Sequence, residues 1–247
     1  MKIKEITNFL ESYAPLQYQE DYDNCGLIVG DVNLEVVGAL ITLDCTEQVI
    51  DEAIEMGCNL IIAHHPIIFN GLKKLNGSNY IQRTVIKAIK NDVAIYAIHT
   101  NLDNVHNGVS AKIAEKLDLE HCKVLAPNSH FKNQQVGLGI IGELKEPIQT
   151  SKFLMRIKDR MQTNYIRYTS LVKEEVKRVA VCGGSGSMLL KNAKEVGADI
   201  FITADFKYHD FFDAENDIVI ADIGHYESEQ FTKDLIYDLL VKNFTKF

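Results

Sequence analysis

Two stretches of the chain repeat one pattern of apolar and polar positions. Residues 36–66 (VVGALITLDCTEQVIDEAIEMGCNLIIAHHP) and 176–206 (VKRVAVCGGSGSMLLKNAKEVGADIFITADF) each begin with a β-branched apolar segment. A short turn follows, then a helical pattern of about three turns, then a second apolar segment. Gly57 and Gly197 stand just past the two predicted helices, where glycine is favoured because the chain leaves a helix most easily in a left-handed conformation. The segments GALITL, NLIIAH, KRVAV and DIFIT are short and continuously apolar, as expected of parallel strands covered by helices on both faces. VAIYAIH (93–99) and IVIADIG (218–224) add a strand to each half, each leading into a helix. QVGLGIIGEL (135–144), the amphipathic run IQTSKFLMRIKDRM (148–161) and YIRYTSL (165–171) complete the second half.

This pattern predicts an α/β fold of two similar α/β lobes, with mainly parallel sheets flanked by helices. The lobes would span 1–125 and 126–247, joined near Leu125–Gln134 with no low-complexity linker and no inserted middle domain. An internal duplication accounts for the likeness of the two stretches; so does the general similarity of all βαβ units. Either way, ligands of open α/β sheets collect at the carboxyl ends of the strands.

Composition narrows the classes. With 247 residues, 46% apolar and 24% charged, the chain has the make-up of an ordinary globular protein. It carries 26 Lys+Arg against 34 Asp+Glu, a formal charge of −8, which disfavours direct binding to nucleic acid or anionic membranes. No apolar run is long enough to span a bilayer, and the polar N-terminus MKIKEITNFLESYAP predicts no secretory signal. The five cysteines (Cys25, Cys45, Cys58, Cys122, Cys182) are scattered, odd in number and free of C-x-x-C pairs. That pattern predicts reduced thiols in a cytoplasmic protein.

Three strand ends concentrate metal-ligand side chains. NLIIAH runs into His64-His65-Pro66, VAIYAIH into His99 and then Asp103, and IVIADIG into His225 through Glu229. Adjacent strand residues point to opposite faces, and Pro66 stops the ladder. Two imidazoles leaving a strand end in diverging directions suit two neighbouring ions better than one; paired capping or core histidines are the plainer alternative. Asp103 is a candidate carboxylate ligand or a turn residue, and His99 a ligand, a ligand's partner or a proton donor. His225 and Glu229 are four apart at the head of a predicted helix (227–244) with apolar positions at Phe231, Leu235, Ile236, Leu239 and Leu240, so both side chains leave one helical face. Glu227 reads as a first-turn charge. Imidazole with carboxylate suits zinc, manganese, iron or cobalt, and two such ions suit hydrolysis. Cys182–Ser187 is a glycine-rich turn that either cradles a phosphate or is simply tight; it fits neither the dinucleotide nor the P-loop pattern. Lys207 and His209 follow the strand DIFIT and are candidates for substrate contact or proton transfer.

Five motifs, Asp23-Asn24-Cys25-Gly26-Leu27, His64-His65-Pro66, His99 through Asp103, Cys182–Ser187 and Gly224 through Glu229, occur in an order that resembles the NIF-three-like family. Its members are commonly labelled GTP cyclohydrolase 1 type 2 homologs. The resemblance implies a metal site at the strand carboxyl ends between two similar lobes. Two divalent ions per subunit (zinc, iron or manganese) would be held by His64, His65, Asp103, His225 and a bridging Glu229. It further implies a toroidal homohexamer. The expected activity is a hydrolase in which metal-activated water attacks a small substrate, a nucleotide such as GTP, with His99, Lys207 and His209 managing protons or binding substrate. A two-metal phosphoesterase and a metal-binding scaffold or adaptor without turnover are the alternatives.

Overall fold

The computed structural model describes residues 1–131 and 135–244; residues 132–134 of the expected join, and 245–247, lie outside the described residues. The elements in chain order begin with α1 (Ile3–Tyr13), β1 (Gly26–Val29), β2 (Ala39–Thr42), α2 (Glu47–Glu55), β3 (Leu60–Ala63), α3 (Tyr80–Lys90), β4 (Ala94–Ala97) and the single turn α4 (Thr100–Asp103). They continue with α5 (Val109–Lys116), β5 (Glu120–Pro127), β6 (Gly137–Gln149), α6 (Thr150–Arg160), β7 (Arg167–Tyr168), β8 (Glu175–Ser185), α7 (Leu190–Glu195) and β9 (Ile200–Ala204). After a 3-10 helix at His209–Ala214 come β10 (Val219–Asp222), α8 (His225–Glu229) and α9 (Thr232–Asn243).

The repeated sequence folds as a repeated structure. One sheet has the order β1-β4-β3-β2, with β2, β3 and β4 parallel and β1 antiparallel at the edge. The second contains β8-β9-β10-β7, again three parallel strands and an antiparallel edge strand that precedes them in the chain. β5 and β6 extend this second sheet antiparallel from β8, so the parallel character expected from sequence belongs to the four-stranded cores, and the six-stranded sheet as a whole is mixed. Every residue of β3, β4, β9 and β10 is buried, the physical counterpart of their unbroken apolar runs.

The helix ends are also repeated. Gly57 and Gly197 both adopt φ +70°. Beyond α2 the Gly57 N–H donates to Ile54 O and the Cys58 N–H to Ala53 O; beyond α7 the Gly197 N–H donates to Lys194 O and the Ala198 N–H to Ala193 O. This pair of bonds satisfies the last carbonyls of each helix and turns the chain into the next strand. At the other end of α2, Thr46 Oγ1 accepts from the Val49 N–H at 3.4 Å, and Asn79 does the same for α3 at 2.9 Å.

Contacts divide the chain into two compact units, Met1–Leu102 with Thr232–Phe247, and Asp103–Phe231. This partition differs from the 1–125/126–247 reading because the repeats exchange their last helices. In chain order α5 follows the first repeat and α9 the second. Yet α5 packs on β8 and β6, and α9 on β2. The first unit's core includes Ile50, Ala53, Ile61, Val85 and Ile95; the second has one cluster around Phe153, Ile157, Val179 and Ile202 and another around Phe201, Phe206 and Ile220. The helix expected over 227–244 is two helices, interrupted at Gln230 and Phe231. Gln230 Nε2 donates to Met161 O at 2.8 Å and Phe231 is buried under the Lys116 ammonium, which fixes the chain there before it enters α9.

Candidate functional site

In the first unit, β3 ends at Ala63 and β4 at Ala97, neighbours in the parallel register, so the residues just beyond them emerge side by side. His64, His65 and His99 therefore converge: ring centroids are 4.9 Å apart for His64–His65 and 5.2 Å for each of the other pairs. One ring nitrogen from each lies within 4.8 Å of the others. The Nδ1 atoms are all committed to oxygen. His64, fully buried, donates from Nδ1 to Ile98 O at 2.8 Å. His65 Nδ1 meets Asp44 Oδ1 at 2.9 Å, and His99 Nδ1 meets both oxygens of Asp23 at 2.9 Å. A carbonyl or carboxylate oxygen only accepts, so each Nδ1 carries the proton and each Nε2 presents its lone pair.

Asp23 anchors this group. Its side chain is fully buried and accepts from His99, from the Thr100 N–H at 3.0 Å and hydroxyl, and from Cys25 Sγ at 3.1 Å. Burial opposes its ionisation, but the hydrogen bonds from His99 and Thr100, joined by the charge of His99 once that ring is protonated, hold the carboxyl below its ordinary value.

In the second unit, Gly224 (φ +94°) ends the turn after β10 and starts α8. At i and i+4 on α8, His225 Nε2 and Glu229 Oε2 are 3.1 Å apart, with Glu229 only 3% exposed. His225 Nδ1 meets Asp205 Oδ2 at 2.7 Å. The hydrogen bond to Glu229 raises the His225 pKa against the opposing effect of burial, and the Glu229 and Asp205 charges add to it, to about 9. A proton is thus held where a cation is favoured. Asp103, closing α4, belongs to this unit as well. The buried thiol of Cys182 is pushed up to about 12 by burial and, to a smaller extent, by the charges of Asp103 and Glu229.

The glycine-rich turn packs closely against Glu229. The Gly183 N–H donates to Ser110 Oγ at 3.4 Å and the Gly184 N–H to Ser228 Oγ at 2.9 Å, so two of the donors a phosphate cradle would use are committed within the protein. A Cβ on Gly184 (φ +60°) would lie 2.2 Å from Glu229 Oε1; only glycine leaves room for that carboxylate.

Lys207 and His209 are exposed. The Lys207 N–H donates to Asp210 Oδ2 at 3.0 Å, while the His209 ring packs near Tyr208 and Phe212. Sequence reasoning missed Asp44 and Asp205, and quoted Asp23 without giving it a role. One signal was available: aligning 36–66 with 176–206 sets His65 opposite Asp205.

The three strand-end histidines of the first unit could hold a metal ion. Imidazoles whose Nδ1 is fixed by an oxygen acceptor, together with a buried carboxylate, form the arrangement in which metal-ligating histidines are held. No helix among the described residues is long and apolar enough to cross a membrane.

The family model described as Duf34/NIF3 (NGG1p interacting factor 3) matches residues 1–247. A Clostridium acetobutylicum protein named GTP cyclohydrolase 1 type 2 homolog is 35% identical over 230 residues, covering 93% of this chain and 85% of that protein. A Clostridium perfringens protein of the same name is 36% identical over 230 residues, with 93% and 87% covered. The crystal structure of a Bacillus cereus protein related to NIF3 superposes with a TM-score of 0.91 at 28% identity, covering 100% of this chain and 94% of that one.

Proposed function

Because the chain belongs to the Duf34/NIF3 family, we propose that it is a metal-dependent hydrolase that binds two divalent ions and acts on a small substrate, a nucleotide such as GTP. The residues that would hold the ions are His64, His65, Asp103, His225 and Glu229. One observation carries the reading. All three histidines of this set have Nδ1 fixed by an oxygen, from Ile98, Asp44 and Asp205, which makes Nε2 the atom that would coordinate; at His225 an ion would replace the proton held between Nε2 and Glu229. The names of the Clostridium relatives support the substrate class.

When bound, divalent ions supply Lewis acidity, lowering the pKa of water and stabilising negative charge as it develops. The chain's own residues do the rest. Asp23 fixes the tautomer of His99, so His99 Nε2 is placed to take a proton as a general base. Asp205 orients His225 in the same manner. Lys207 and His209, on the exposed segment after β9, are assigned to substrate contact.

The test is elemental analysis and a nucleotide panel on protein purified without chelator or affinity tag. About two equivalents of zinc, iron or manganese, with GTP consumption, is the expected result. Glu229→Gln should lower metal affinity on the order of 100-fold and abolish turnover while the protein stays folded. Full metal content in that variant would overturn the ligand assignment. Metal-replete protein that consumes no nucleotide would leave a metal-binding scaffold instead.

A further inference from the structure

We infer that Asp222, with Arg167 as its counter-charge, is a positioning residue for the His225–Asp205 pair; the inference rests on the proposed function for its consequence but not for its geometry. Asp222 closes β10 and is only 2% exposed. Its Oδ2 accepts from the Phe206 N–H at 3.0 Å and its Oδ1 from the Gly224 N–H at 3.1 Å. Phe206 follows Asp205, and Gly224 precedes His225. One carboxylate therefore grips the main chain beside both partners of the 2.7 Å bond between Asp205 Oδ2 and His225 Nδ1. Both gripped turns need holding: Asp205 has φ +61° and Gly224 φ +94°, and a non-glycine residue adopts the left-handed region only when its surroundings impose it.

A buried carboxylate is costly unless paired. Arg167 supplies the charge: its guanidinium bonds Asp222 and also donates from Nη2 to Phe206 O at 3.1 Å. The two-residue strand β7 sets Arg167 directly opposite Asp222 in the antiparallel register, which gives so short an edge strand a purpose. The corresponding strand of the first unit, β4, ends in Ala97. There the carboxylate comes instead from Asp23, which grips His99 and Thr100. Burying a charge at the end of β10 is thus no requirement of the strand itself; it is placed where the following turns present His225 and Asp205.

The experiment uses the full-length protein labelled with 15N-histidine. Zinc affinity is measured by competition with a chromophoric chelator, and the imidazole Nδ1–H resonances are recorded on metal-free protein. Asp222→Asn removes the charge and sets an amide donor either against the donors of Phe206 and Arg167 or against the N–H of Gly224. It should erase the slowly exchanging Nδ1–H resonance of His225 and weaken zinc binding about 10-fold, while the His64 Nδ1–H resonance, bonded to Ile98 O, persists. Retention of the His225 resonance with wild-type affinity overturns the inference. So does loss of both histidine resonances together, which would mark general loosening. Should Asp222→Asn not fold, Arg167→Met on the half-exposed edge must give the same selective loss, and Arg167→Lys must restore the resonance. If the wild-type protein takes up no zinc, the hydrolase reading fails, while the resonance comparison still decides the role of Asp222.

Discussion

Histidine orientation in this chain is the work of distant oxygens. Asp23 lies 76 positions before His99, Asp44 precedes His65 by 21, and Asp205 precedes His225 by 20. The histidines were legible because they crowd strand ends; Asp23 and Asp44 were not, since only the folded sheet brings them near, and Asp205 was marked only by its place opposite His65 in the repeat. Asp23 lends itself to a pH test. Its carboxyl is held below the ordinary value of 3.8 in the folded protein, so its contribution to stability is present above that value and is lost as pH falls through and below it. Asp23→Asn should cost about 1.5–3 kcal/mol at neutral pH, the range for hydrogen bonds to a charged group. Urea midpoints at pH 7, 5 and 3 should show the gap between wild type and variant narrowing toward acid; a gap of constant size would mean that the charge of Asp23 is not what matters.

At the scale of elements, the glycines that end helices and the glycine that makes room for a carboxylate are separable. Gly57→Ala and Gly184→Ala both force a non-glycine residue into the left-handed region, at about 1–2 kcal/mol each. At Gly57 nothing lies within 4 Å of the new Cβ, whereas at Gly184 Glu229 Oε1 is 2.2 Å away and His225 Cε1 3.3 Å. Thermal unfolding should shift similarly in the two variants, but only Gly184→Ala should lose bound metal by elemental analysis. Equal metal content in both would detach Glu229 from the centre. Strands were readable from sequence because buried parallel strands are uniformly apolar and stop abruptly. Two features were not. YIRYTSL contributes only Arg167 and Tyr168 to a strand, both exposed, where side-chain pattern carries little information. The break at Gln230 and Phe231 contains neither glycine nor proline; tertiary anchoring to Met161 and Lys116 makes it.

Across the whole molecule, the sequence repeat and the compact units are different things, because α5 and α9 each complete the sheet of the other repeat. The repeat was legible and the exchange was not, since an amphipathic helix does not record which sheet it covers. The first unit should depend on α9, whose Ile236 is fully buried and Leu240 nearly so. Each such side chain contributes about 1.5–3 kcal/mol, against a typical total of about 5–15 kcal/mol for a domain. Deleting the chain from Thr232 onward should therefore expose β2 and β3 to rapid hydrogen exchange while β8, β9 and β10 stay protected. Equal protection of both sheets would show that α9 is dispensable.

The exchange of helices sets an order of events during synthesis. A ribosome has made all of Asp103–Phe231 before it makes the 12 residues of α9, so the half that is translated first is the half that finishes last. Until then its sheet waits without the helix that packs on β2, and a nascent chain released early has a mature second half and an unfinished first one, a form that chaperones and proteases can tell from the complete protein.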